Sequence, residues 1–171
     1  MNPRSADAVA RLFDVKGRAA DQAVPLIAAD SAQVAASLGE MPALLASLGA
    51  AFWPGPLTVL VHAPGWLAPA VSAGTGRVGI RVPAHDVARA LASAAGGLIT
   101  ATSANRSGAP ATDDPDAVAQ SIGDAIDVLV DSGRTPGGPP STIVDITAGD
   151  VRLVRQGAVS WDEVLRCAAR K

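Results

Sequence analysis

Apolar and polar positions follow two periods along the chain, and each change of period marks an element. In "SADAVARLFDVK" the apolar residues Val9, Leu12 and Phe13 fall at helical spacing, with Ser5 as a candidate N-cap and Gly17 as a stop. "SAQVAASL", "MPALLASLGAAF", "HDVARALASAA", "DDPDAVAQSIG" and "WDEVLRCAARK" predict five more helices. In "HDVARALASAA" the pattern assigns Val87, Leu91 and the alanines to the inner face. "DDPDAVAQSIG" carries acidic residues and a proline at its start, as helix N-termini favour. Short runs rich in β-branched residues predict strands in "VPLIAA", "PLTVLVHA", "GRVGIRVPA", "GLITAT", "IDVLVDSG", "STIVDIT" and "VRLVRQG". Helices and strands alternate at first and strands cluster late. That order predicts an α/β fold, a twisted mixed sheet with flanking helices.

Composition narrows this picture. The 171 residues predict a single domain spanning 1–171 with a substantial core. Hydrophobic residues make up 49% and charged residues 18%, which excludes a disordered chain. No apolar run approaches the roughly 20 residues of a membrane span, and the N-terminal residues lack a signal-peptide core. A cytoplasmic protein without membrane contact is expected. Cys167 is the only cysteine, so neither an intramolecular disulfide nor a cysteine metal cluster is available. The net charge of −2 argues against general nucleic-acid affinity, although a local basic patch stays open. The basic residues are 12 Arg and two Lys, Lys16 and Lys171, so the internal lysine of "KGR" stands out.

Several polar stretches exceed what the fold needs. Lys16 and Arg18 flank Gly17 where a helix ends, and two such cations form either an anion fork or a solvated helix end. "FWPGPLT" holds two prolines and a glycine in a stiff turn that aims Thr58 from the start of its strand, with Trp53 read as core. Strand alternation sets Arg81 on the face opposite Ile80 and Val82, either exposed or directed at a carboxylate. In "TATSANRSG", Ser103 and Asn105 are candidate helix caps, but Pro110 and the following acidic run predict a helix start near Asp114. That leaves their polar groups for other partners, in a loop after a strand where α/β proteins bind ligands. The loop lacks the GK[ST] ending of a P-loop. His62 and His85 have no patterned acidic partner, and no metal site is expected. Cys167 is read as packing.

Taken in order, "KGR", "WPGPLT", "GIRVP", "TSANRSG", "PSTIVD" and "VRQG" resemble the motifs of the YrdC-like family over about residues 2–157. The resemblance implies a twisted mixed sheet around a positively charged cavity. It also implies L-threonylcarbamoyladenylate synthesis, in which L-threonine, bicarbonate and ATP give threonylcarbamoyl-AMP and pyrophosphate. A partner transferase complex then modifies tRNA. By position, Lys16, Arg18, Ser103 and Asn105 match the family's catalytic nucleotide-site residues, and Thr58 and Arg155 match further ATP-binding positions. Ala101 and Ala111 adjoin the nucleotide loop, where they are expected to offer main-chain contacts. Arg81 and Ser141 match threonine-binding positions, and Mg2+ is expected to accompany ATP. The chemistry needs no covalent enzyme intermediate. It needs two anions held together and the charge on the phosphate neutralised, for which Lys16, Arg18, Arg81 and Arg155 are suitable residue types.

The sequence departs from the family at its start. Relatives carry a strand and a Pro-Thr-Glu-Thr-Val-Tyr-Gly-Leu-like segment that walls the site, whereas this sequence opens with a helix and contains no tyrosine. Ala29 stands where many relatives have histidine. The 171-residue form is therefore expected to be weakly active or inactive. Two competing readings are a module that binds nucleotide or double-stranded RNA without chemistry, and carbamoyl transfer to another acceptor.

Overall fold

A computed structural model describes residues 1–17, 22–135 and 137–169. Their elements run in chain order α1 (Ala6–Lys16), β1 (Leu26–Ile27), α2 (Ser31–Leu38), α3 (Ala43–Phe52), β2 (Leu57–His62), β3 (Arg77–Arg81), α4 (Asp86–Ala94), β4 (Ile99–Thr100), α5 (Pro115–Ile122), β5 (Thr142–Asp145), β6 (Arg152–Arg155) and α6 (Trp161–Ala168). Two short 3-10 turns, Pro69–Ser72 and Gly123–Ala125, complete the list for these residues.

The helix ends follow local chemistry. Ser5 Oγ accepts the Ala8 amide, and Gly17 closes α1 in the left-handed region at φ 58°. Asp30 caps α2, Asp114 caps α5 with Pro115 in its first turn, and Ser160 and Glu163 form a reciprocal capping box on α6. His85 caps α4 by accepting the Ala88 amide at Nδ1, 3.4 Å away.

The strands form one mixed sheet in the order β4-β1-β3-β2-β5-β6. β1 runs parallel to β3 and β2 parallel to β5, while β4–β1, β3–β2 and β5–β6 pair antiparallel. The core lies between the sheet and its helices. Leu26, Leu57, Val59, Val78, Ile80 and Val144 from the strands meet Val9, Leu45, Leu48 and Val164 from the helices. Trp53 joins this core, and its Nε1 donates to the Leu57 carbonyl at 2.8 Å, which satisfies the one polar atom of a buried indole. Cys167 packs against the same cluster.

Two expectations need correction. "IDVLVDSG" forms no strand: among the described residues no ladder partner reaches it, and Val128, Leu129 and Val130 stay exposed. A strand needs a partner edge as well as β-propensity. This segment instead lies along α4 and α5, tied to α1 by Arg11 and Asp127 at 2.8 Å. Leu91 also leaves the inner face of α4, where Ala92 is the buried residue, because Leu91 borders clefts on both sides of the helix. No helix among the described residues is long and apolar enough to cross a membrane.

Candidate functional site

One end of the sheet collects the polar residues. β3 ends there at Arg81, and β2 and β5 begin there. The ladder pairs Thr58 with Ile143 of β5 and Val59 with Ile80 of β3, which brings Thr58 beside the β3 end at Arg81 and within reach of Ser141. A cavity of about 210 Å³ opens at this point, lined by Pro25, Leu26, Ile27, Thr58, Arg81, Ala101, Thr102 and Ser141. Among the described residues, no carboxylate lines it. A larger cleft of about 580 Å³, where Arg4 stacks on Trp66, holds none of the expected site residues. Volume is therefore a poor guide, and the convergence of polar groups marks the site.

Thr58 aims inward because its neighbours leave room. Its methyl lies over Gly79 of β3, where an added Cβ would come within 2.9 Å. Its hydroxyl bonds to Ser141 Oγ at 3.0 Å. Arg155 reaches across from β6 and donates to the Ser141 carbonyl at 2.8 Å and to Ser141 Oγ at 3.3 Å. Ser141 is held in turn by its neighbour Thr142, whose buried hydroxyl accepts the Gly157 and Val159 amides and donates to the Val159 carbonyl. Gly157 must be glycine, because a Cβ there would overlap the backbone of residues 140–142.

Arg81 is half-buried, and its Nε donates to the Gly55 carbonyl at 2.8 Å. That bond orients the guanidinium and leaves its two terminal nitrogens for an anion. Gly55 is itself fixed by its amide on the Val82 carbonyl at 2.8 Å. Burial lowers the Arg81 pKa from its ordinary value. The group stays charged throughout the physiological range, so it is a partly desolvated cation that gains from an anionic partner.

The second cluster lies on the same segment as Ala101 and Thr102. Lys16, at the end of α1, is only 5% exposed. Its Nζ donates to the Ser103 carbonyl at 2.7 Å and to Asn105 Oδ1 at 3.0 Å, with Ser103 Oγ at 3.4 Å. Asn105 is oriented from both sides, since its Nδ2 donates to the Ala109 carbonyl at 2.6 Å. The Lys16 carbonyl accepts the Ser107 amide at 2.7 Å. The loop therefore wraps the helix end, and Ser103 and Asn105 act as ligands of the lysine, not as helix caps.

Arg18 lies outside the described residues. The Ala101 amide is already bonded to the Pro25 carbonyl, so only the Ala101 carbonyl remains for a ligand. Ala111 is exposed and does not line the cavity. Sequence reasoning gave no role to Thr102, which lines the cavity, or to Thr142, which positions Ser141, and read Gly55 only as part of the turn that aims Thr58, not as the residue that orients Arg81. "PGP" and "PST" held the signal for the last two. Among the described residues, no group of three His, Cys, Asp or Glu could hold a metal ion.

Residues 1–157 match a protein-family model for Sua5, YciO and YrdC proteins, described as "Telomere recombination". The chain belongs to this family. It is 44% identical over 140 residues to a threonylcarbamoyl-AMP synthase of Halorhodospira halophila, covering 80% of this chain and 71% of the relative. It is 32% identical over 163 residues to the threonylcarbamoyl-AMP synthase of Pyrococcus abyssi, covering 95% of this chain and 48% of the relative. The crystal structure of P. abyssi Sua5 complexed with L-threonine superposes with a TM-score of 0.88 at 32% identity, over 97% of this chain and 49% of that one. The chain thus spans about half the length of the P. abyssi protein.

Proposed function

We propose that this chain forms threonylcarbamoyl-AMP and pyrophosphate from L-threonine, bicarbonate and ATP, and that a transferase complex then uses the product to modify tRNA in the cytoplasm. One observation carries the reading. A buried ammonium is held 2.7–3.0 Å from Ser103 and Asn105, next in sequence to a cavity whose described lining presents cationic and hydroxyl groups and no carboxylate. Such a site suits two anions brought together. The names of the relatives support this reading over a binding module without chemistry.

In this scheme Lys16, Arg18, Ser103 and Asn105 hold the ATP phosphates, with Thr58, Arg155 and the backbone near Ala101 and Ala111 beside the nucleotide. Arg81 and Ser141 take the amino acid, Arg81 binding its carboxylate with two nitrogens. The threonine amine is carboxylated, and a carbamate oxygen attacks the α-phosphorus, releasing pyrophosphate. Among the described residues the cavity lining supplies no carboxylate for a metal; Mg2+ would enter with the ATP phosphates and would screen the leaving charge.

The test measures pyrophosphate release with all three substrates, together with calorimetric binding of ATP and of L-threonine. Binding of both ligands is expected, with weak turnover that requires all three substrates. Lys16→Ala should abolish ATP binding in a folded chain. A folded wild-type chain that binds neither ATP nor L-threonine refutes the proposal.

A further inference from the structure

The direction of one hydroxyl proton can be deduced from its surroundings. Ser141 Oγ has two lone pairs, and the Arg155 guanidinium, which has no acceptor atom, must donate to one of them. The contact with Thr58 at 3.0 Å could in principle run either way. Burial decides it. Thr58 is 5% exposed, and among the described residues Ser141 Oγ is the acceptor its hydroxyl meets. Were Ser141 to donate to Thr58, the proton of this 5%-exposed hydroxyl would face only the cavity, with no acceptor among the described residues, an arrangement proteins avoid. Thr58 therefore donates, both lone pairs of Ser141 are filled, and the Ser141 proton is left for whatever occupies the cavity that Ser141 lines.

We infer that Thr58 is a positioning residue that turns the Ser141 hydroxyl into a donor, so that the ligand atom meeting Ser141 is an acceptor oxygen of the amino acid's carboxylate. The inference rests on the reading of this cavity as the threonine site. Arg81 favours the same occupant, since a second donor lines the cavity and, among the described residues, no acidic side chain is there to pair an ammonium. It adds to the place of Thr58 beside the nucleotide, because it gives Thr58 an effect on the amino acid through Ser141.

The experiment is calorimetric titration of L-threonine, and separately of ATP, into wild type, Thr58→Val, Thr58→Ser and Ser141→Ala. Valine keeps the shape and β-branching of threonine, so the strand is preserved, and thermal melting checks the fold. Thr58→Val should weaken L-threonine binding about fivefold to tenfold, and Ser141→Ala at least about tenfold, as expected for loss of a hydrogen bond to a charged group. Thr58→Ser should restore the wild-type L-threonine constant within about twofold, and in Thr58→Val the loss of L-threonine affinity should exceed any change in ATP affinity. Unchanged threonine binding in Thr58→Val, weakened ATP binding alone, or failure of Thr58→Ser to rescue overturns the inference while leaving the cavity assignment standing. A wild-type chain that binds ATP but no L-threonine refutes the assignment itself, and the inference with it.

Discussion

Asn105→Asp separates the charge of the Lys16 site from its shape. The substitution is isosteric, and the new carboxylate oxygen takes the place of Oδ1, 3.0 Å from Lys16 Nζ. A phosphate oxygen on the far side of the ammonium would sit about 3 Å from Nζ and so about 6 Å from the new charge. At an effective dielectric constant of about 20, that separation gives a repulsion of about 2.8 kcal/mol, or roughly a hundredfold in ATP affinity. Stability should move little. The aspartate gains attraction to Lys16 but loses the donor to the Ala109 carbonyl, leaving two oxygens facing each other across 2.6 Å. The melting temperature should stay within about 4 °C of wild type. Asn105→Ala, which removes the acceptor without adding charge, should cost ATP affinity only about tenfold. The assay is calorimetry with a non-hydrolysable ATP analogue at low salt, repeated at high salt, where screening should narrow the gap between Asn105→Asp and wild type. A folded Asn105→Asp variant that binds the analogue within about threefold of wild type at low salt would falsify the reasoning, because the charge of Lys16 would then not hold the phosphates.

Gly55→Ala forces a Cβ into the Phe52 carbonyl oxygen. It should destabilise the chain by about 1–3 kcal/mol, seen as a fall in melting temperature, and loosen Arg81, seen as weaker L-threonine binding. Gly157→Ala should fail in the same way, since its Cβ meets the backbone around Ser141, and thermal melting again gives the test. At acid pH the Asp145–Arg77 pair, 2.6 Å apart, should matter most. Burial alone would raise the Asp145 pKa, but hydrogen bonds from Thr147 and Arg77 outweigh it and hold the carboxyl below its usual range. The folded pKa lies below the unfolded one, so the contribution is fully present above about pH 4 and is lost as pH falls through the folded value. Urea melts from pH 7 to pH 2 should show a shallower acid loss for Asp145→Asn than for wild type; parallel curves would refute the assignment.

The helices were largely legible because their signals are local. Ser5, Asp114 and the Ser160–Glu163 box sit within one turn of the backbone groups they satisfy. Strands were less so, because pairing is decided far along the chain. "VPLIAA" and "GLITAT" shrink to two-residue strands, and "IDVLVDSG", as apolar as either, finds no edge. His85 shows the same limit at a cap. Nothing in its neighbourhood distinguishes a surface histidine from one that accepts a backbone amide, until the preceding strand fixes where α4 begins. The site was half legible. The residue types at Lys16, Arg81, Ser103, Asn105 and Ser141 could be named from their motifs. What each hydroxyl or amide does depends on partners 83 to 89 residues away, as in Thr58–Ser141 and Lys16–Asn105, and only the folded arrangement sets those pairs.

The sheet order explains why these distant motifs converge. β2 lies between β3 and β5, antiparallel to one and parallel to the other, so the last residue of β3 and the first residues of β2 and β5 meet at one sheet end. A strand moved by one residue would turn its side chains to the opposite face, so the register that buries Val59, Ile80 and Val144 also fixes the side on which Thr58 and Arg81 stand. Core packing and site geometry are therefore one constraint. The glycines at 55, 79 and 157 enforce it around the site, where backbone or a facing side chain leaves no room for a Cβ. A site assembled this way has no reactive nucleophile to supply. Under the proposed function its contribution is to hold cations and oriented hydroxyls around two anions before they react, and small displacements of the supporting backbone should lower affinity and rate together.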